Sequence, residues 1–135
     1  MDTVEKKNFG MKVAFEIVTT KTIDNQMIDD ILVAAMEGGI NYWCVRALPK
    51  DNDYKKELGG EYASDVISRG GTLVFKLSEP FDESGKLEYE LTLENFKKGC
   101  ELNQKNNPTF DFEEHDAGDA DNIIQYALFG ELIFG

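Results

Sequence analysis

The side chains in this sequence that are best suited to chemistry are carboxylates. Six of them fall within eleven positions, at Asp111, Glu113, Glu114, Asp116, Asp119 and Asp121. The only histidine, His115, lies among them. Carboxylates beside an imidazole can bind a divalent cation or transfer protons, which is the chemistry of a metal-dependent hydrolase. A single nitrogen ligand is few for zinc, however, so a solvated loop histidine is the simpler interpretation of His115.

Two further acidic patterns resemble the beginning of a calcium-binding loop. Asp51 and Asp53 have the right spacing, but Lys55 stands where the next ligand should be. Residues 119–121 repeat the Asp-x-Asp spacing and are followed by Ile123, which cannot bind a cation. We therefore predict no metal ligand, and a weak divalent site within residues 111–121 stays open. Aspartates that complement the N-terminal end of a helix dipole are the alternative there.

Motifs for other catalytic chemistry do not occur in the sequence. Ser64 and Ser68 lack the glycines of a nucleophile elbow. The Gly-Gly pairs at residues 38–39, 59–60 and 70–71 form neither a P-loop nor a dinucleotide-binding turn. We therefore expect no catalytic residue and no cofactor, and we expect that the protein is not an enzyme.

Net charge separates the remaining classes of function. The chain carries a charge of −12 at pH 7, and this charge is unevenly distributed. Residues 1–78 contain 12 acidic and 10 basic side chains, whereas residues 79–135 contain 14 acidic and 4 basic ones. Direct binding to nucleic acid needs clustered lysine and arginine, so it is not expected. An acidic surface favours a basic partner or serves solubility, and both interpretations stay open.

Aromatic residues are candidate anchors for such a partner. Phe110 and Phe112 alternate with the first carboxylates. Trp43 follows Tyr42 in a segment rich in aromatic and β-branched residues, which is typical of a strand. Because neighbouring strand residues point to opposite faces, Tyr42 and Trp43 cannot both face one core. Either a helix covers each face or one ring is exposed for binding, and we take Trp43 as the candidate.

Hydrophobic periodicity predicts the elements that must position these residues. An apolar stripe from Ile23 to Met36 predicts a helix that Thr22 or Asp24 caps and that a left-handed glycine at residues 38–39 ends. Similar patterns predict strands at residues 12–20, 41–47, 72–77 and 86–93, and helices at 61–69, at 94–103 after a Thr92 cap, and at about 120–128. The apolar tail, residues 131–135, is expected to return to the core or sheet.

The order of these elements predicts an α+β fold, a mainly antiparallel sheet of about four strands with helices packed on one face. Residues 1–10 are expected to form a flexible lead-in, and residues 11–135 a single domain. The strands at 72–77 and 86–93 should pair antiparallel, with Tyr89 and Leu91 on one face. The core is predicted to contain Phe15, Ile17, Ile28, Ile31, Leu32, Phe75, Leu91, Ile124 and Leu128.

Cysteine usage and hydropathy predict the compartment. Cys44 and Cys100 are far apart in the sequence, and each lies on a face predicted to be buried, so both are expected to be reduced thiols. Residues 1–10 have no charged-then-apolar leader pattern, and no apolar run approaches the ~20 residues of a membrane span. We expect a cytoplasmic protein without a membrane partner.

Three stretches of the sequence together resemble a known group of proteins. They are residues 37–44 (EGGINYWC), residues 60–73, which include GEYASD and RGGTL, and residues 119–135, which contain DADNIIQYALFGE. Over residues 12–135 the chain resembles short acidic proteins encoded by phages, prophages and other mobile elements of gut-type bacteria. Such proteins are often inhibitors of host defence, including anti-CRISPR proteins, and the resemblance implies that context. It implies no catalytic residue.

The leading hypothesis is a non-enzymatic interaction protein of a mobile element that blocks a basic, nucleic-acid-handling protein of its bacterial host, such as a nuclease. The six carboxylates would imitate the phosphate row of a nucleic acid, and Trp43 would anchor the complex. Two alternatives stay open. A small-molecule or nucleotide-signal binding protein would use Arg46, Arg69 and the glycine turns to hold phosphate, and a metal-dependent hydrolase would use residues 111–121.

Overall fold

Three helices and three strands make up the part of the chain that the computed structural model describes, residues 20–51 and 62–135 together with Ala14, Phe15 and Ile17. The elements are α1 (Asn25–Ala34) with a π-helical turn that extends it (Ala35–Gly39), β1 (Cys44–Pro49), a 3-10 turn (Ala63–Asp65), β2 (Leu73–Leu77), β3 (Glu88–Leu91), α2 (Leu93–Asn106), a second 3-10 turn (Phe112–Glu114) and α3 (Ala117–Phe129). The fold class is α+β, as predicted.

The strands form an antiparallel sheet in the order β1-β2-β3. Phe75 of β2 lies opposite Ala47 of β1 and Tyr89 of β3, and Leu73 lies opposite Leu91. The predicted antiparallel hairpin is therefore confirmed. Tyr89 and Leu91 share a face because they are two residues apart on one strand.

β1 begins at Cys44, three residues later than the sequence pattern predicts. The N–H groups of Trp43 and Cys44 both donate to the carbonyl oxygen of Ile40, so a turn occupies the positions before the strand. The register between β1 and β2 then shifts around Val45, which is a β-bulge. Tyr42 and Trp43, which precede the strand, are thus held by a turn rather than by strand pairing.

The predicted fourth strand, residues 12–20, is not part of the sheet where the chain is described. Ala14, Phe15, Ile17 and Thr20 have no strand pairing, and the other positions of that segment lie outside the described residues, as do residues 1–10. The prediction that Phe15 and Ile17 belong to the core is wrong, because their side chains are 78% and 81% exposed. Alternation predicts that two residues share a face, but it does not specify an element to cover that face.

The core lies between one face of the sheet and the helices. Its other predicted members are buried in one cluster, and Leu128 packs half-buried against it; they are Ile28, Ile31, Leu32, Phe75, Leu91 and Ile124. Cys44 and Cys100 are buried and unpaired, as predicted. Burial raises the pKa of both thiols, that of Cys100 to about 12, so neither is a thiolate at neutral pH.

The predicted capping residues determine where α1 and α2 begin, because their side chains bind the backbone of the first helical turn. Asp24 accepts a hydrogen bond from the backbone N–H of Met27 at 2.9 Å, and Thr92 accepts one from Asn95 at 3.3 Å. Each cap satisfies an N–H group that has no partner within its helix. The longest described helix, α2, has 14 residues, and none of the helices in the described ranges has the length and apolar character to cross a bilayer.

The glycines that follow α1 differ from the prediction of a left-handed cap. Gly38 and Gly39 belong to the π-helical turn, and neither has a positive φ. A Cβ atom on Gly39 would collide with the carbonyl oxygen of Ala117 at the start of α3. Glycine is therefore needed at position 39 for close contact between two helices. The first position of the predicted helix at residues 61–69 lies outside the described residues, and the described positions 62–69 form the 3-10 turn Ala63–Asp65 and a turn that ends at Gly70 (φ 87°) instead of a continuous helix.

Candidate functional site

The predicted acidic segment lies on the second 3-10 turn and at the start of α3, and the structure divides its carboxylates into three groups. Asp119 is half-buried and Asp121 is buried. The other four are exposed to solvent and are called the acidic edge below: Asp111, Glu113, Glu114 and Asp116. The sequence predicts the charge of all six residues, but only these four present it at the surface.

Hydrogen bonds to the backbone fix two residues of the acidic edge. Asp111 accepts a bond from the N–H of Glu113 at 2.9 Å. Asp116 accepts one from the N–H of Asp119 at 2.8 Å, and Asp119 accepts one from the N–H of Asp116 at 2.9 Å. This reciprocal capping box starts α3 and confirms that aspartates complement a helix N-terminus here. The N–H group of Asp119 also lowers the pKa of Asp116, because it stabilises the carboxylate form.

The acidic edge has no cationic partner in the described part of the chain. The ion pairs that are described lie on the sheet, where Arg46 is 3.8 Å from Glu88 and Lys50 is 3.0 Å from Glu90. Those carboxylates are at least partly compensated. The charge of the acidic edge is therefore more available to a partner than the charges of Glu88 and Glu90.

The two phenylalanines that alternate with the carboxylates support the acidic edge from inside. Phe110 and Phe112 are buried, with ring centroids 4.8 Å apart in an edge-to-face arrangement. The Nζ atom of Lys21 donates to the carbonyl oxygen of Phe110. His115 Nδ1 donates to the carbonyl oxygen of Phe112 at 2.8 Å. This histidine thus stabilises the turn, and the half-buried ring is not a freely solvated one.

Trp43 and Asp121 meet in the interior of the protein. They are 1% and 6% exposed, and the indole Nε1 donates to Asp121 Oδ1 at 2.8 Å. Tyr42 donates its hydroxyl to Asp121 Oδ2 at 2.6 Å, and Gln125 Nε2 donates to Oδ1 at 2.9 Å. Neither Trp43 nor Asp121 is placed to touch a partner at the surface, so we do not include them in the acidic edge. Tyr42 is the exposed ring of the aromatic pair, at 57%.

Gln125 is a structural residue that the sequence analysis missed. Its Oε1 atom accepts hydrogen bonds from the N–H groups of Ile133 and Phe134, at 2.8 and 2.9 Å. Phe134 in turn stacks on Trp43, with ring centroids 5.3 Å apart and planes 5° apart. The expected return of the tail to the core is therefore confirmed. A sequence signal existed, because Asp121 and Gln125 are polar residues four apart within an apolar helical stripe.

Two other features of the described residues bear on function. They contain no group of three or more histidine, cysteine or acidic side chains that could hold a metal ion. They do form a cleft of about 960 Å³ along α2, in which apolar and polar side chains are equally numerous and the exposed lining surface is mainly apolar. The cleft was not predicted from the sequence, because it depends on how the segment before α1 approaches α2.

Comparison with known proteins found no matching family model, no matching curated protein and no matching solved structure.

Proposed function

We propose that this protein is a non-enzymatic interaction protein whose acidic edge binds a basic groove on a nucleic-acid-handling protein of a bacterial host cell. One observation carries the proposal: four exposed carboxylates are grouped at one place and have no cationic partner among the described residues. Together with the net charge of −12, these carboxylates make the acidic edge complementary to a basic surface on a partner.

The acidic edge is also held in place before any partner arrives. Asp111 and Asp116 accept backbone hydrogen bonds, and Phe110 and Phe112 are buried beneath the turn. Charges that are already ordered lose less conformational entropy on association. This favours a binding surface over a charged segment that serves solubility alone.

Competition with nucleic acid follows from the same charges. A protein groove that holds nucleic acid presents lysine and arginine side chains to a row of phosphates. Carboxylates spaced over the turn and the start of α3 present the same sign of charge. Bound there, the protein would exclude the nucleic acid and block its host target, in agreement with the mobile-element context that the sequence resemblance implies. Direct binding of this protein to nucleic acid is not expected, since the acidic edge repels phosphate.

Affinity capture from a bacterial lysate tests the proposal with three forms of the protein. The first is native. The second, the edge variant, carries Asp111→Asn, Glu113→Gln, Glu114→Gln and Asp116→Asn. The third, the control variant, loses the same number of charges at exposed positions elsewhere, by Glu79→Gln, Glu83→Gln, Glu101→Gln and Glu131→Gln. Asparagine is used at 111 and 116 because it caps a helix as well as aspartate does.

We expect the native and control forms to retain a basic protein that added nucleic acid releases, and the edge variant to retain much less of it. The interaction should weaken as the salt concentration rises, because exposed charges are screened. Retention of the same protein by all three forms would contradict a role for the acidic edge. Capture of a small metabolite instead of a protein would support the alternative of a small-molecule binding protein.

A further inference from the structure

One side chain of α3 holds the backbone of the tail, residues 131–135. Gln125 Oε1 accepts the N–H groups of Ile133 and Phe134, and Gln125 Nε2 donates to the carbonyl oxygen of Phe134 at 3.2 Å. The side-chain amide thus binds both backbone polar groups of Phe134, as an opposed residue does in an antiparallel sheet. Within the part of the chain that the structure describes, the tail makes no other hydrogen bond.

Aromatic rings receive the side chain of Phe134. It stacks on Trp43, and Phe81 and Phe129 meet it edge to face at centroid distances of 6.2 and 6.0 Å. Ring pairs in these arrangements contribute more than the area they bury. Gln125 and the three rings of Trp43, Phe81 and Phe129 are called the tail site below. This site binds a peptide backbone with one group and an aromatic side chain with the others.

The tail site is positioned by bonds in which the tail takes no part. Gln125 Nε2 and Trp43 Nε1 both donate to Asp121 Oδ1, at 2.9 and 2.8 Å. Asp121 belongs to α3, so these bonds orient the amide and the indole independently of residues 131–135. A site that is ordered in advance loses less conformational entropy when a ligand enters it.

The tail itself has the features of a segment that can leave its site. It belongs to no helix or strand; Glu131 and Leu132 are exposed, and Ile133 and Phe134 are half-buried. Gly130, which joins the tail to α3, has a φ of 77° and open space around its Cβ position, so the chain can change direction there. Segments with few buried contacts open at a lower free energy than the core. The tail is therefore equivalent to a ligand that is tethered to its own site.

We propose that the tail site is a peptide-recognition site, which the chain's own tail occupies and which an extended segment of a partner protein enters when the tail opens. The contacts of Phe134 define the chemistry of that segment. It needs an aromatic side chain to stack on Trp43, and free N–H and C=O groups on the same residue to bind Gln125. A helical segment does not fit, because its interior N–H and C=O groups are already bonded to each other.

Two further properties of the partner segment follow from the structure. The residue before the aromatic one cannot be proline, since the N–H group of Ile133 is also bound. The segment must also compete with the tail, whose effective concentration is in the millimolar range because it is tethered. The tail site is separate from the acidic edge, since Gln125 lies about 14 Å along α3 from Asp116.

The experiment adds an N-acetylated peptide of the tail sequence, ELIFG, to the full chain carrying F134S, which removes the ring that covers Trp43. Trp43 is the only tryptophan, so quenching of its fluorescence by acrylamide reports whether the site is occupied. We expect F134S to be quenched more than the native protein, and ELIFG to restore the protection. The native protein should bind ELIFG about tenfold more weakly than F134S, which corresponds to a docked tail favoured by about 1.4 kcal/mol.

Two controls separate recognition of the ring from a general effect of the peptide or of the substitution. The peptide ELISG lacks the ring and should not protect Trp43 in F134S. The variant L132S changes an exposed side chain of the same tail and should behave as the native protein. Equal quenching of F134S with and without ELIFG would overturn the proposal, and so would equal protection by ELIFG and ELISG.

A second measurement needs no substitution and decides the matter if F134S loosens the fold. In the native chain, saturating ELIFG should displace the tail and speed the hydrogen exchange of the Ile133 and Phe134 N–H groups, which NMR resolves. The same concentration of ELISG should leave both exchange rates unchanged. Exchange rates that ELIFG does not change would contradict a site that accepts a peptide from another molecule.

Discussion

Trp43 donates its indole N–H to Asp121 across 2.8 Å, although 78 positions separate the two residues in the sequence. Both side chains are buried, and Tyr42 and Gln125 donate to the same carboxylate. Three donors on one carboxylate satisfy a charge that would otherwise be costly inside the fold. The network joins the turn before β1 to α3, so it holds the helix that Asp116 caps, next to the 3-10 turn that carries the rest of the acidic edge.

Replacement of Asp121 by asparagine should lower the free energy of unfolding by about 2 kcal/mol or more, because the amide nitrogen cannot accept a hydrogen bond that the carboxylate oxygen accepted. Urea unfolding measures the loss. Asp30→Asn is the matched control, since Asp30 is exposed on α1 and accepts one bond from Gln26. It should cost no more than about 0.5 kcal/mol. Similar losses in both variants would show that the buried network contributes little to stability.

Replacement by alanine is expected to affect stability in opposite ways at the two neighbouring glycines of the π-helical turn. Gly39→Ala would place a Cβ atom against the carbonyl oxygen of Ala117, and it should destabilise the fold by about 1–3 kcal/mol because α1 and α3 must separate. Gly38→Ala adds a Cβ atom with no other atom within 4 Å, and it should be neutral or slightly stabilising. Thermal unfolding of the two variants compares them directly. If Gly39→Ala unfolded at the native temperature, the close contact at Ala117 would be refuted.

The Tyr42 hydroxyl leads to a prediction at alkaline pH. Although the ring is exposed, partial desolvation of the hydroxyl, followed by the hydrogen bond to Asp121, raises the pKa of Tyr42 from 10.0 to about 12. Because the fold favours the neutral phenol, this contribution to stability is complete below pH 10 and is lost as the pH rises through 12. The phenolate absorbance of the native protein minus that of Tyr42→Phe should titrate near pH 12. A difference that titrates near pH 10 would argue against the bond to Asp121.

Local sequence patterns were enough to predict much of the fold. The stripe of α1, the alternation of β3 and the Thr92 cap each depend on a few consecutive residues, and all three are present in the structure. The burial of Phe15 and Ile17 was predicted in the same way and is wrong in the described structure. Whether an apolar face is covered depends on distant elements, which periodicity does not specify.

The sequence predicts which residues could form the candidate site, but it does not predict where each side chain lies in the fold. The carboxylates are evident in the sequence, yet their division into exposed, half-buried and buried groups depends on where α3 starts and which way it faces. Asp121 is only five positions beyond Asp116, and the helical rotation between them turns it into the core. The contact of Asp121 with Trp43 joins distant parts of the chain, and no local pattern predicts it.

The most direct measurement of the central claim is the association rate of the captured partner with the edge variant and with the control variant, over a range of salt concentrations. The two variants have the same net charge, so a difference between them reports the position of the charges. We predict that the edge variant associates about tenfold more slowly than the control at low salt, and that the difference shrinks as salt screens the charges. Equal association rates at low salt would contradict the account, and the acidic edge would then serve solubility alone.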